Sequence, residues 1–302
     1  MKKRLLSVLL VCSMVIGLLA GCGSGSNVVT DNSATKNADG KKDTAKIAVY
    51  SDFAGFDPYN SGMDLDKVVY DNIFDCLLRN YNGEFEKVLC TDYQKNEDGK
   101  EYTFKLKDGV KFHNGETLTA NDVVFSMNRA KESSEMSNYT KNIVNVEAVD
   151  NLTVKITLDQ PYVPFLTAVA AQVCIMNEKA VTEAGDNVRQ QPVGTGPYKF
   201  KQWDSGSQVI LERFDDYHGT QPQIKEADFV VLTNPETALT ALQTGEIDMT
   251  YTIPPIAAKE LKSSDKLALD LNPTLGSGYI VMNTEAPFLN DPNFRLALAY
   301  AT

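Results

Sequence analysis

His113 and His218 are the only two imidazoles in 302 residues. A Ser-His-Asp device needs one of them beside a nucleophile. No Gly-x-Ser-x-Gly turn is present to expose a serine. His113 lies in Phe112-His-Asn-Gly115, and His218 stands between Tyr217 and Gly219. Both are turn settings, where an imidazole that closes the turn by hydrogen bonding is favoured over a catalytic one. Neither a Cys-x-x-Cys nor a His-x-x-x-His pair occurs, so no dedicated metal site is expected. Acid pairs abound, and no spacing marks any two as a glycosidase pair. Gly194-Thr-Gly-Pro197 lacks the Gly-Lys-Ser/Thr of a phosphate loop. It reads as a tight reversal in which glycine supplies an unusual φ and proline fixes the exit. The residues therefore point to binding without turnover and without a cofactor; a secreted hydrolase using acidic residues is the competing reading.

Composition narrows the partners. Forty acids against 29 bases give a net charge of −11. Residues 1–21 hold three of those bases and no acid, so the remainder stands at −14. A surface that acidic repels phosphate backbones, and nucleic acid is not expected as a partner. The opening residues explain the asymmetry. Lys2-Lys3-Arg4 is followed by 16 mostly apolar residues, Leu5 to Ala20, short of a bilayer span. That is an export signal. Its ending, Leu-Ala-Gly-Cys22, resembles the lipobox of bacterial lipoproteins, which implies cleavage before Cys22 and a lipid on its sulfur. Residues 22–45 are small and polar and read as a flexible tether with a reach of roughly 25 Å. Cys76, Cys90 and Cys174 remain in the body. One disulfide is compatible with an exported protein and no pairing is deducible, but buried free thiols are the favoured state for all three.

The elements that would position a binding site are a mixture of strands and helices. A strand is expected at Lys46–Tyr50 and a helix over 64–80, with apolar residues at Leu65, Val68, Val69, Ile73, Cys76 and Leu77. Glu101–Lys107 alternates as a strand. Thr119-Ala-Asn-Asp122 is a capping-box-like helix start. Alternation on either side of Asp150-Asn151 predicts a hairpin, and Tyr198–Phe214 a second one. Phe229–Leu232 reads as a buried strand. Asn234-Pro235 opens a helix that Gly245 closes. Leu267–Leu271 and Tyr279–Met282 read as two further strands, and Asp291-Pro292 opens a last helix.

Five segments, in order, carry a resemblance: Gly109-Val-Lys-Phe-His-Asn-Gly115 with Leu118–Met127; Val193-Gly-Thr-Gly-Pro-Tyr198; Ala241-Leu-Gln-Thr-Gly-Glu-Ile-Asp248; Met282-Asn-Thr284; and Asp291-Pro-Asn-Phe-Arg295 onward. Together they are similar to the extracytoplasmic solute-binding proteins of family 5, the oligopeptide, dipeptide and nickel receptors of ABC importers. The chain departs from that pattern at His218, where the family usually has Trp, and at Thr302, where an acid-Arg pair normally follows. The resemblance implies an α/β fold like that of type II periplasmic binding proteins. On it, residues 46–60 and 192–278 form the core subdomain of lobe I and residues 61–191 an inserted subdomain. The second lobe starts at 279 and is largely absent. It also implies a monomer, lipid-anchored on the outer face of the cell membrane or periplasmic, that binds an oligopeptide or dipeptide and delivers it to a permease. A nickel or metal-chelate receptor of the same fold is the alternative ligand class. Clefts between domains take aromatic and polar groups, and the candidates are Phe53, Ala54 and Gly55 after the first strand, Asn138 and Tyr139 in a polar loop, and Tyr279 and Asn283 near the crossing to the second lobe. Core packing is the competing role for each aromatic, and turn formation for Asn283.

Overall fold

The structure is a computed structural model that describes residues 42–60, 63–271 and 280–301. It divides into two compact units that adjoin in sequence at Pro254–Pro255. The first contains β1 (Thr44–Val49), α1 (Asp64–Ile73), β2 (Leu78–Tyr81), β3 (Glu84–Lys87), β4 (Cys90–Lys95), β5 (Glu101–Leu106), α2 (Ala120–Glu132), α3 (Ser137–Thr140), β6 (Ile143–Asp150), β7 (Thr153–Leu158), α4 (Glu178–Ala184), β8 (Tyr198–Asp204), β9 (Gln208–Arg213), β10 (Glu226–Val231), α5 (Pro235–Thr244) and β11 (Met249–Thr250). The second contains α6 (Ala258–Leu261) and α7 (Pro292–Ala301).

Two larger sheets organise the first unit. One runs in the order β11-β1-β10-β9-β8, the other β4-β5-β7-β6. β1 lies parallel to both β10 and β11, while β10, β9 and β8 pair antiparallel. The second sheet follows from strict alternation. Tyr102, Phe104 and Leu106 of β5 and Val154, Ile156 and Leu158 of β7 all turn into one core. Helix α1 adds Leu65, Val69, Tyr70 and Ile73, and α2 adds Ala120, Val123, Met127 and Ala130, both at helical spacing. Fully burying one such Leu, Ile or Phe contributes about 1.5–3 kcal/mol.

Local rules set the helix ends. The Asp122 carboxylate accepts the Thr119 N–H at 2.9 Å, the reach-back half of a capping box. At α5 the Asn234 side chain accepts the Thr237 N–H at 2.8 Å, Pro235 occupies the first turn, and Gly245 closes the helix at φ +79°.

Several expectations are corrected. β1 begins at Thr44, two residues earlier than read, because Thr44 and Ala45 pair with Glu226 and Ala227. Helix α1 stops at Ile73 instead of reaching 80: Phe74 is extended, and residues 78–81 pair with β3. Residues 267–271 and 280–282 are not strands; among the described residues they have no ladder partner. Tyr279, the signal segment and most of the tether, Cys22 included, lie outside the described residues.

Candidate ligand-binding site

In open α/β sheets, ligands bind beyond the carboxyl ends of the parallel strands. Here those ends belong to β11, β1 and β10. The residues that follow β1 and β11 are Tyr50 and Tyr251, 44% and 48% exposed in a unit whose other aromatics are mostly interior. The register sets Ala48 against Thr250, so Tyr50 and Tyr251 lie just past the ends of two neighbouring strands, offset by one residue. Partial burial raises the Tyr251 pKa above the ordinary phenol value.

The chain then enters a loop, residues 51–57, held by four charged side chains. Asp52 accepts the Phe53 N–H at 2.9 Å and binds the tip of the β8–β9 hairpin through Ser205 Oγ and the Gly206 N–H, both at 2.8 Å. Burial works against its carboxylate, but those donors outweigh it, and its pKa falls below the ordinary value. Asp66 of α1, itself fully buried, accepts the Ala54 N–H at 3.1 Å; burial dominates there and pushes its pKa up to about 6. Arg189 donates to the Ala54 carbonyl and accepts the Phe56 N–H on its own carbonyl at 2.9 Å. Gly55 sits at φ +145°, and a Cβ there would stand 2.9 Å from Arg189 Nε, so glycine is required.

Asp57 ends the loop. Arg129 of α2 donates to both of its oxygens, Nη1 to Oδ1 at 2.6 Å and Nη2 to Oδ2 at 2.7 Å. Asn60 and the Tyr59 N–H complete the shell at 2.9 and 3.2 Å. Asp57 is 1% exposed. Desolvation opposes its charge, yet these donors, Arg129 first, hold its pKa below the usual range. The Arg129 guanidinium also lies 5.5 Å from the Tyr59 ring centre. Phe53 and Phe56 pack behind the loop, Phe56 edge-on to Trp203 at 5.2 Å.

Both histidines are engaged by neighbours within the fold. His113 Nε2 lies 3.0 Å from the Gly196 carbonyl, and Nδ1 receives the Gly194 N–H at 3.4 Å. One neutral tautomer, protonated on Nε2, satisfies both contacts. Burial pushes the His113 pKa down to about 4. His218 Nε2 meets Asp75 Oδ2 at 3.0 Å, and Thr195 Oγ1 donates to the same oxygen at 3.2 Å. The Gly194-Thr-Gly196 turn owes its glycines to close approach, not to left-handed backbone. A Cβ on Gly194 would fall 2.0 Å from the Ile73 carbonyl oxygen, and one on Gly196 would fall 2.5 Å from that of Asn72. The expectation of an unusual φ is thereby corrected; neither glycine is among the positive-φ residues.

Residues 84–302 match the family model described as bacterial extracellular solute-binding proteins, family 5 middle. That span is well over half of the chain. The chain belongs to the family 5 extracellular solute-binding proteins. A glutathione-binding protein GsiB of Pectobacterium atrosepticum is 37% identical over 264 residues, 85% of this chain and 51% of the relative. The periplasmic binding protein DppA from Helicobacter pylori, solved with the peptide STSA, superposes with a TM-score of 0.78 at 28% identity, over 85% of this chain and 56% of that one. NikZ from Campylobacter jejuni, solved with Ni(L-His), gives 0.74 at 26% identity, over 86% and 53%. The chain thus spans about half the length of the relatives it matches, and one lobe of such a protein is present. Solute-binding proteins of this family are extracytoplasmic components of ABC importers.

Within this solute-binding lobe the sequence-derived candidates have unequal settings. Ala54 and Gly55 lie in the anchored loop, Ala54 half-buried and Gly55 buried. Phe53 is 5% exposed and packs on Phe56, the core role that competed with ligand contact. Asn138 and Tyr139 occupy the short helix α3, not a loop, and both are exposed. In the second unit Asn283 makes a turn, its Oδ1 accepting the Glu285 N–H at 3.0 Å. Tyr279 lies outside the described residues. Sequence reasoning missed Tyr50 and Tyr251. Tyr50 follows the apolar run Ile47-Ala-Val49, whereas Tyr251 follows Ile247 and Met249 alternating with polar residues, which leaves little signal.

Proposed function

We propose that this chain supplies one lobe of a receptor for short peptides, glutathione-sized ligands included, which hands them to an importer permease. The observation that carries the reading is the pair Tyr50 and Tyr251, exposed at the carboxyl ends of parallel strands beside a loop fixed by Asp52, Asp66, Arg189 and Asp57. Exposed phenol rings offer apolar area and a hydroxyl to a flexible ligand at little entropic cost. A pre-organised loop spares the ordering cost that weakens binding. The peptide named with DppA and the glutathione named for GsiB point to the same ligand class. A metal chelate is the second reading, favoured by the likeness to NikZ with its nickel–histidine ligand.

In this reading Ala54, Gly55, Asn138 and Tyr139 contribute contacts from the first lobe, and Tyr279 and Asn283 flank the crossing to a second. Phe53 supports the loop from behind. Residues 46–60 and 192–278 form the core subdomain, residues 61–191 the inserted one, and lobe II begins at 279. Residues 1–21 are the signal, Cys22 carries the lipid, and residues 22–45 tether a monomeric receptor to the membrane. Calorimetry of the intact protein with reduced glutathione, a dipeptide, a tetrapeptide and nickel–histidine tests the ligand class. Peptide binding that weakens at least tenfold in a Tyr50→Ala/Tyr251→Ala variant is expected. Undiminished peptide affinity in that variant would remove these rings from the site, and binding of nickel–histidine alone would replace the peptide reading.

A further inference from the structure

The segment after α1 and the segment before α4 run alongside each other, the Ile175 N–H donating to the Asp75 carbonyl at 2.9 Å. The next residues on either side are Cys76 and Cys174. The two side chains influence each other electrostatically, and both thiols are free. The Lys67 ammonium and the Tyr59 hydroxyl each feel both sulfurs. Cys174 is 1% exposed, and the Tyr59 hydroxyl donates to its carbonyl. Cys76 is half-buried and opens on a cleft of about 220 Å³ lined by Lys67, Asp71, Arg79 and Gln172. Cys90 stands apart: its thiol points to the Leu77 carbonyl, and the charges acting on it are those of Lys87, Lys107 and Asp92.

Opposed residues of neighbouring extended segments have Cα atoms about 4.5–5.5 Å apart, inside the window a disulfide needs. The backbone hydrogen bond between Ile175 and Asp75 holds the two segments together, with the two cysteines as the adjoining residues. Disulfides persist outside the cytoplasm, where this family works. We propose that Cys76 and Cys174 are joined by a disulfide in the exported protein, with Cys90 left as the free thiol. The inference rests on the extracytoplasmic setting and not on the identity of the ligand.

The co-reactant is an exchangeable disulfide, carried by a small thiol or by a thiol-oxidising protein. The accessible Cys76, as thiolate, attacks one sulfur of that disulfide and expels the other, which takes up a proton. Cys174 then loses its proton and attacks the Cys76 sulfur, expelling the second thiol. One S–S bond breaks and one forms; the two cysteines lose two electrons and two protons, and the co-reactant gains them. The neighbouring Cys76 first, and burial second, raise the Cys174 pKa well above the ordinary value, so this second step is the slow one. The bridge would close a long loop and staple the end of α1 beside Asp75, the carboxylate that reaches Thr195 and His218.

The test needs no variant. The folded chain is equilibrated with oxidised glutathione, quenched in acid, unfolded, alkylated and mapped by mass spectrometry without reduction. A linked Cys76–Cys174 peptide pair is expected, with Cys90 the one alkylated cysteine of these three. Alkylation of both Cys76 and Cys174, a glutathione adduct on Cys76 beside a free Cys174, or a link that includes Cys90 overturns the proposal. Mapping the protein released from its host's envelope reads the same peptides in the native compartment, where the linked pair is again expected and its absence refutes the bridge there.

Discussion

Replacing Arg129 of α2 by Met removes a cation while keeping most of the aliphatic stem. What remains is Asp57, 1% exposed, with only Asn60 and one backbone N–H as donors. Leaving one member of a buried pair unpartnered costs about 3–5 kcal/mol. The Asp57–Arg129 contact is bidentate at 2.6 and 2.7 Å, so the upper half of that range is expected. With a urea slope of roughly 2.5 kcal/mol/M for a unit of this size, the midpoint should fall by about 1.8 M. Trp203, the single tryptophan, packs on Phe56 next to Asp57 and reports the transition by fluorescence. Asp57→Asn alone should cost less, because the Arg129 side chain retains 20% exposure to water. The double variant Asp57→Asn/Arg129→Met should recover at least about 1 kcal/mol of the summed losses. The pH dependence gives an independent check. In the native chain the Asp57 pKa is depressed, so its contribution is present above the unfolded value of 3.8 and is lost on acidification through the folded value. Without Arg129, desolvation prevails and the folded pKa rises, so the variant's deficit should shrink as pH falls from 7 toward 4. A loss below about 1 kcal/mol, or a deficit that grows in acid, refutes the view of this pair as the bolt between loop and helix.

Three further outcomes are expected. Gly194→Ala should destabilise the chain by about 3 kcal/mol or more, because its Cβ meets backbone that cannot step aside; an unchanged melting curve would show that the turn can open. His113, with its folded pKa pushed down to about 4 against 6.5 when free, should withdraw up to about 3 kcal/mol of stability as pH drops from 6.5 to 4. Asp66, pushed up to about 6, acts in the opposite sense over nearly the same window, its share being present below 3.8 and lost as pH rises through 6. The two offset each other, so His113→Gln should flatten the acid loss and Asp66→Asn should deepen it; superimposable pH profiles for all three proteins would contradict both assignments. Cys22→Ala should release the protein from the membrane or leave its signal uncut, since lipid insertion gains about 0.8 kcal/mol per buried CH₂; a variant that stays membrane-bound at its processed size rules out the anchor.

The elements legible in the sequence were those specified by neighbours a few residues apart. Alternation produced β5, β6, β7, β8 and β9 where expected, and Asn234-Pro235 with Gly245 delimited α5. These rules work because a strand repeats every two residues and a helix about every 3.6. They fail where a second chain segment must agree. Leu267, Leu269 and Leu271 alternate as well as any strand, yet alternation without a ladder partner leaves backbone groups unpaired, and no strand forms among the described residues there. The family motifs likewise announced the lobe but not its internal logic. Only the tertiary structure sets Asp57 against Arg129 across 72 positions, Asp75 against His218 across 143, and the glycines of the 194–196 turn against the carbonyls that end α1. The same holds for Tyr50 and Tyr251, brought to neighbouring strand ends, and for Cys76 near Cys174. Such pairs leave no periodic trace, because each partner obeys its own local pattern and their meeting is decided by how the sheets and helices pack. The candidate site is assembled from these long-range meetings, which is why resemblance in the sequence pointed to the family while the structure alone says which side chains stand together.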